Sequence, residues 1–254
     1  MTPSKPYRSS RRAPADPDER ETPRPDPRPG TITSLKAQVR DPERMSVFVD
    51  GTFSFGVALT VAEEHGLSTG QVLDAAKLAT VLAAESLHKA TSTALNFLGY
   101  RPRSEGEIRT RLRKGSYPDE TIEVVLDRLR GWGYVDDEDF ARRWVENRAT
   151  HRPRGSRLLA NELRAKGIDG DLGKNVIEEA SIDESADALA LARDRMRQLG
   201  DLERDVRERR LGGFLTRRGY GYDVIRPVLQ QIRAECDHVG NDEIDLGDGA
   251  NVVQ

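Results

Sequence analysis

Apolar positions recur in one frame three times along this chain. Counting from Leu112, an apolar residue stands four earlier at Ile108, and Tyr117, Val125 and Leu126 follow five, thirteen and fourteen later. Leu163 repeats the frame with Leu159, Ile168, Val176 and Ile177, and Leu215 with Leu211, Tyr220, Val228 and Leu229. Position nine is Thr121, Leu172 and Val224, apolar in two copies. The three leucines lie 51 and 52 residues apart. A fixed period of this length marks a tandem array of one supersecondary unit. Within each copy the spacing i, i+3, i+4, i+7 predicts helices. A glycine follows a basic residue near each midpoint, at Gly115, Gly167 and Gly219, where a left-handed helix end is expected. Ser104 with Glu107 reads as a capping box, and Pro118 suits a first helical turn. Further helices over about 85–99, 137–150 and 184–199 lead the copies. The pattern predicts a mainly α fold, a tandem array of three three-helix modules over 85–135, 136–181 and 182–234.

Ahead of the modules lies a segment over 31–84, of which residues 31–57 differ in kind. Ile32 to Val39 and Met45 to Val57 alternate apolar and polar residues, separated by Arg40-Asp41-Pro42-Glu43-Arg44. Asp50-Gly51 between two such runs is a strong hairpin signal, because both central residues of a type I′ turn need positive φ. A small N-terminal β-hairpin is predicted, then a helical lead-in broken near Gly66 to Gly70, with Val72 to Leu82 as an amphipathic run.

Composition adds the tails. Residues 1–30 hold eight of the thirteen prolines and six arginines with almost nothing apolar, which predicts a disordered arm. After Arg233 there is no Lys or Arg, while six carboxylates from Glu235 to Asp248 predict an acidic disordered tail over 235–254. Cys236 is the single cysteine, so neither a disulfide framework nor a cysteine-built zinc site is expected. No apolar run is long enough for a membrane span, and the N-terminus lacks a signal-peptide core. A soluble cytoplasmic monomer is expected.

Catalytic chemistry is hard to find. Gly167 to Asn175 brings glycines beside Lys174 but lacks the Ser or Thr and the preceding strand of a phosphate loop. The four histidines are isolated. Asp136-Asp137-Glu138-Asp139 precedes a helical run, where acid meets the positive end of the helix dipole, so capping is expected and not a metal site. No enzyme and no cofactor are predicted. The third helices of the first two modules carry Asp119, Glu120, Glu123, Asp127 and Asp169, Asp171, Glu178, Glu179, which phosphate would repel, so base readout by a helix-turn-helix is disfavoured. Arginines gather instead on the first and second helices and the joints. Candidate partner- or DNA-binding residues are Arg109, Arg113, Arg142, Arg143, Arg148, Arg152, Arg154, Arg157, Arg217 and Arg218. That distribution suits phosphate contact without sequence specificity, or carboxylate contact on a protein.

The order of SVFVDGTFSFGV, RPRSEGEIRTRLRKG, LDRLRGWGYVDDEDFARRWVENR, RPRGSRLLANELRAKGID and RRLGGFLTRRGYGYDVIRPVL resembles the RecX family of bacterial recombination regulators over about 31–234. Against that pattern, Ser116 reads as an added residue between Gly115 and Tyr117, and the acidic tail lies outside it. The resemblance implies an array of three-helix modules that lies in the groove of the RecA filament on single-stranded DNA. It implies limits on ATP hydrolysis, strand exchange and the coprotease activity that triggers the SOS response. Two other readings stay open: a non-specific DNA-binding protein acting without a recombinase, and a structural adaptor.

Overall fold

A computed structural model describes residues 26–39, 41–199 and 202–242. The expected Pro/Arg-rich arm over 1–30 therefore falls almost wholly outside the described residues, as does the acidic tail beyond Asp242. The chain divides into two compact units, residues 1–89 and 90–254.

In the first unit, β1 (Gly30–Gln38), β2 (Asp41–Val49), β3 (Thr52–Ala58) and β4 (Val72–Leu73) form one antiparallel sheet in the order β3-β2-β1-β4. The predicted hairpin is β2–β3, and both turn residues take positive φ, 48° at Asp50 and 82° at Gly51. The sequence reading differs from the structure in three places. Asp41 to Arg44, read as a separator, belong to β2. Val72 and Leu73, read as the start of the amphipathic helical run, pair with β1, and α1 (Leu59–Glu64) is the part of the helical lead-in that precedes the break. The third difference is α2 (Ala75–Leu98), a single helix of 24 residues that joins the expected amphipathic run to the leading helix expected from about residue 85. Its apolar positions continue at helical spacing with no Gly or Pro to stop them. Ile32, Val47, Val57, Leu73 and Val81 are buried on the unit's core. Glu85 is buried too. Its carboxylate accepts the Ala58 N–H at 2.8 Å and meets Arg44 at 2.6 Å and Lys89 at 3.1 Å. Burial raises its pKa, but those partners together lower it below the usual value.

The second unit is the predicted array. The first module has the end of α2, where Ala90 and Ala94 are buried, with α3 (Glu105–Lys114) and α4 (Asp119–Gly131). The second has α5 (Asp137–His151), α6 (Ser156–Ala165) and α7 (Gly170–Glu179). The third has α8 (Glu184–Arg197), α9 (Arg204–Arg217) and α10 (Tyr222–Asp242). Leu112, Leu163, Leu215, Val125, Val176 and Val228 are all buried, as the period requires. Ser104 caps α3 by accepting the Glu107 N–H, and Asp136 caps α5 by accepting those of Glu138 and Asp139. Glu235 and Asp237, assigned to the disordered tail from sequence, lie in α10 and pair with Arg193 and Arg204.

The turn glycine needs one correction. Gly167 and Gly219 have φ of 82° and 91°, but Gly115 has −84° and it is Ser116 that turns left-handed, at 60°. Ser116 stands four residues after Leu112, as Gly167 does after Leu163 and Gly219 after Leu215. By the internal repeat it is no insertion; it occupies the glycine position. A side chain in this conformation costs more than glycine does, so Ser116→Gly is expected to stabilise by about 0.5–1 kcal/mol. The melting temperature of the variant against wild type checks this, with an unchanged value counting against strain at the turn.

Candidate functional site

Two joints hold the three modules, and they are built from the same repeat positions. At the first, Ser104 Oγ donates to the Lys166 carbonyl at 2.5 Å, and the Glu105 N–H donates to Asp137 Oδ1 at 2.8 Å. At the second, the Gly155 N–H donates to the Arg218 carbonyl at 3.0 Å, and the Ser156 N–H donates to Glu184 Oε1 at 2.8 Å. Ser104 and Gly155 both stand eight residues before their reference leucine; Lys166 and Arg218 both stand three after the next one. The first carboxylate of one module's leading helix thus caps the second helix of the module before it. Backbones touch at both joints. A Cβ on Gly106 would lie 2.7 Å from Gly167 Cα and the Lys166 carbonyl oxygen, and one on Gly155 would meet Gly219 and, at 2.6 Å, the Tyr220 nitrogen.

Charge collects at these joints. Beside the first, Glu107 receives Arg101 at 2.7 Å and Lys166 at 2.9 Å, with Arg103 at 3.8 Å. Burial pushes the Glu107 carboxyl up, yet the hydrogen bonds and charges of Arg101 and Lys166 outweigh it and hold the pKa at about 2. Arg103 lies over the Phe97 ring at 3.9 Å. Leading into the second joint, Glu162 accepts Trp144 Nε1 at 2.9 Å and Arg148 Nε at 3.0 Å and also pairs with Arg154, while Arg148 sits 4.2 Å over the Trp144 ring. Burial lowers the Arg154 pKa, and the charges of Arg148, Arg218 and Arg152 lower it further.

The ten arginines singled out from sequence therefore occupy several places. Arg148, Arg152, Arg154 and Arg218 converge at the second joint. Arg109 and Arg113 cross to the next helix, pairing with Glu123 and Asp119. Arg142 and Arg143 pair one turn back along α5, with Glu138 at 2.7 Å and Asp139 at 2.9 Å. Arg157 lines a surface groove with Tyr220 and Tyr222 in the third module. Arg217 is exposed on the last turn of α9.

Sequence reasoning missed the groove beside the first joint. It has a volume of about 630 Å³, and Arg109, Arg111 and Lys114 of α3 face it together with Arg164 and Lys166 at the end of α6. The two walls come from different copies of the repeat, so no local spacing announces them. Among the described residues no group of three His, Cys, Asp or Glu could hold a metal, and no helix is long and apolar enough to cross a membrane.

Four domain families match the chain in order: the RecX N-terminal domain at residues 30–74, and the first, second and third RecX three-helix domains at 90–129, 136–180 and 183–229. A regulatory protein RecX from Bacillus velezensis is 31% identical over 207 residues, 81% of this chain and 79% of its own length. Another from Mycolicibacterium smegmatis is 41% identical over 156 residues, 57% of this chain and 82% of that protein. A crystal structure of regulatory protein RecX superposes with a TM-score of 0.62 at 27% identity, covering 78% of this chain and 98% of the other.

Proposed function

The chain belongs to the RecX family, and on that premise we propose that it is a non-catalytic cytoplasmic regulator that binds the RecA recombinase filament on single-stranded DNA. It modulates, and mostly inhibits, the filament's ATPase, recombinase and coprotease activities. The observation that carries this reading beyond membership is the pair of equivalent joints. They hold three charged modules in a fixed relation, and a helical polymer offers the same contact at regular intervals. Several weak contacts on one rigid body raise affinity through effective concentration. Among the described residues, the exposed Arg142 and Arg143 on α5 pair within their own helix, and they can exchange Glu138 and Asp139 for a partner's carboxylates.

The test is recombinase ATPase on single-stranded DNA, titrated with this protein beside its binding to the same DNA alone. Inhibition at concentrations where bare DNA is still unbound is the expected result. Inhibition that begins only once bare DNA is coated would favour the other reading, a non-specific DNA-binding protein acting without a recombinase, which the convergence of Arg148, Arg152, Arg154 and Arg218 supports. Arg142→Glu with Arg143→Glu is expected to weaken inhibition while leaving the melting temperature within about 1–2 °C, since exposed pairs contribute little to stability. Inhibition at wild-type concentrations would remove α5 from the recombinase-facing surface.

A further inference from the structure

We infer that the groove beside the first joint is a binding site for the phosphate backbone of single-stranded nucleic acid, with Arg111, Lys114 and Arg164 as its phosphate ligands. The inference deepens the proposed function by giving the strand its own seat on the regulator. Arg111 and Lys114 stand three apart on α3, and Arg164 faces them from the far end of α6. Among the described residues none of the three meets a carboxylate; Arg164 donates only to the Asn161 side chain and Arg111 only overlooks Phe97 at 5.9 Å. This sets them apart from Arg109, Arg113, Arg142 and Arg143, each of which is already paired. Among the described residues the one carboxylate lining the groove, Glu107, is taken up by Arg101 and Lys166, which leaves the field positive.

The lining also chooses between classes of polyanion. Phe97, the one aromatic side chain there, has Arg103 3.9 Å over its face, and the other apolar side chain is Ala165. An acidic peptide gains specificity from apolar pockets for its side chains, and the apolar lining here is limited to Ala165 and the Phe97 ring that Arg103 covers. A phosphate backbone needs only cations along its track, and it binds by releasing counterions whatever its sequence. The walls are fixed against each other by the Gly106–Gly167 backbone contact and the Ser104–Lys166 hydrogen bond, so the track is preformed.

The experiment uses the full chain and a dye-labelled oligothymidylate, with anisotropy measured across a salt series and no recombinase present. Each phosphate contact on a single strand contributes about 0.7 to the slope of log affinity against log salt. Arg111→Gln, Lys114→Gln and Arg164→Gln together are expected to lower that slope by about 2 and to weaken binding about tenfold or more at low salt. Neutralising three exposed cations elsewhere, Arg128→Gln, Lys174→Gln and Arg210→Gln, should leave the slope near wild type. An equal loss in both triple variants would mean that net charge, not the groove, binds the strand, and would overturn the assignment. So would a wild-type slope in the groove variant, or groove-dependent binding of a labelled oligoglutamate with none of the oligonucleotide. Because no recombinase is present, these outcomes are separate from filament inhibition, which the ATPase titration reads.

Discussion

Gly155→Ala is expected to destabilise the protein by about 3 kcal/mol, at the upper end of what an overpacked site costs. The reason is that the atoms in the way belong to the main chain. A Cβ there would meet the Gly219 carbonyl and lie 2.6 Å from the Tyr220 nitrogen, so no side chain can turn aside to make room. The second joint must open, and the Gly155–Arg218 hydrogen bond and the Glu184 cap on Ser156 lengthen together. The melting temperature should fall by roughly 6–12 °C. Gly170→Ala, where an added Cβ meets nothing within 4 Å, is the matched control and should be close to neutral. If Gly155→Ala melts like that control, the two modules do not depend on this contact. The same variant should lose restraint of a recombinase filament at temperatures where its helices are intact, since the fixed relation between modules is what the proposed function uses.

The sequence exposed the modules well and the joints poorly, for a physical reason. Module cores are local: Leu163 clusters with residues of α5 to α7 and Leu215 with residues of α8 to α10, so burial imposes a period that can be counted. Capping is local too, and the run Asp136 to Asp139 was legible as a helix start. What that run could not reveal was that Asp137 also caps α3, because the Glu105 N–H comes from 32 residues away. The joint glycines are hidden in another way. Gly106 stands six residues before its leucine and Gly155 eight, so a frame built on apolar residues never aligns them. The turn shows the opposite error. A glycine at position 115 drew the left-handed assignment away from Ser116, although the repeat itself puts Ser116 in register with Gly167 and Gly219. As for the arginines, counting them located charge but not its availability. The carboxylates that occupy Arg109 and Arg113 come from α4, and the groove cations that meet no carboxylate among the described residues, Arg111, Lys114 and Arg164, were not among those chosen.

Glu107 makes the first joint sensitive to acid. Its carboxyl is held at about 2, against 4.5 for an unperturbed glutamate, by Arg101 and Lys166, which outweigh burial. A group whose pKa is depressed on folding contributes stability above its unfolded value and loses it as pH falls through the folded one. The contribution is therefore complete above about pH 4.5 and disappears between there and about pH 2. A difference of this size corresponds to roughly 3 kcal/mol for a side chain as buried as this one. Glu107→Gln should thus be less stable than wild type by about 2–3 kcal/mol at pH 7, with Arg101, Arg103 and Lys166 left close together without their counter-charge. The two proteins should converge in stability as pH approaches 2, where the wild-type carboxyl takes up its proton. Urea denaturation at a series of pH values reads both quantities. A gap that stays constant from pH 7 to pH 3 would show that Gln fails for reasons of packing, and that the charge on Glu107 is not what closes the joint.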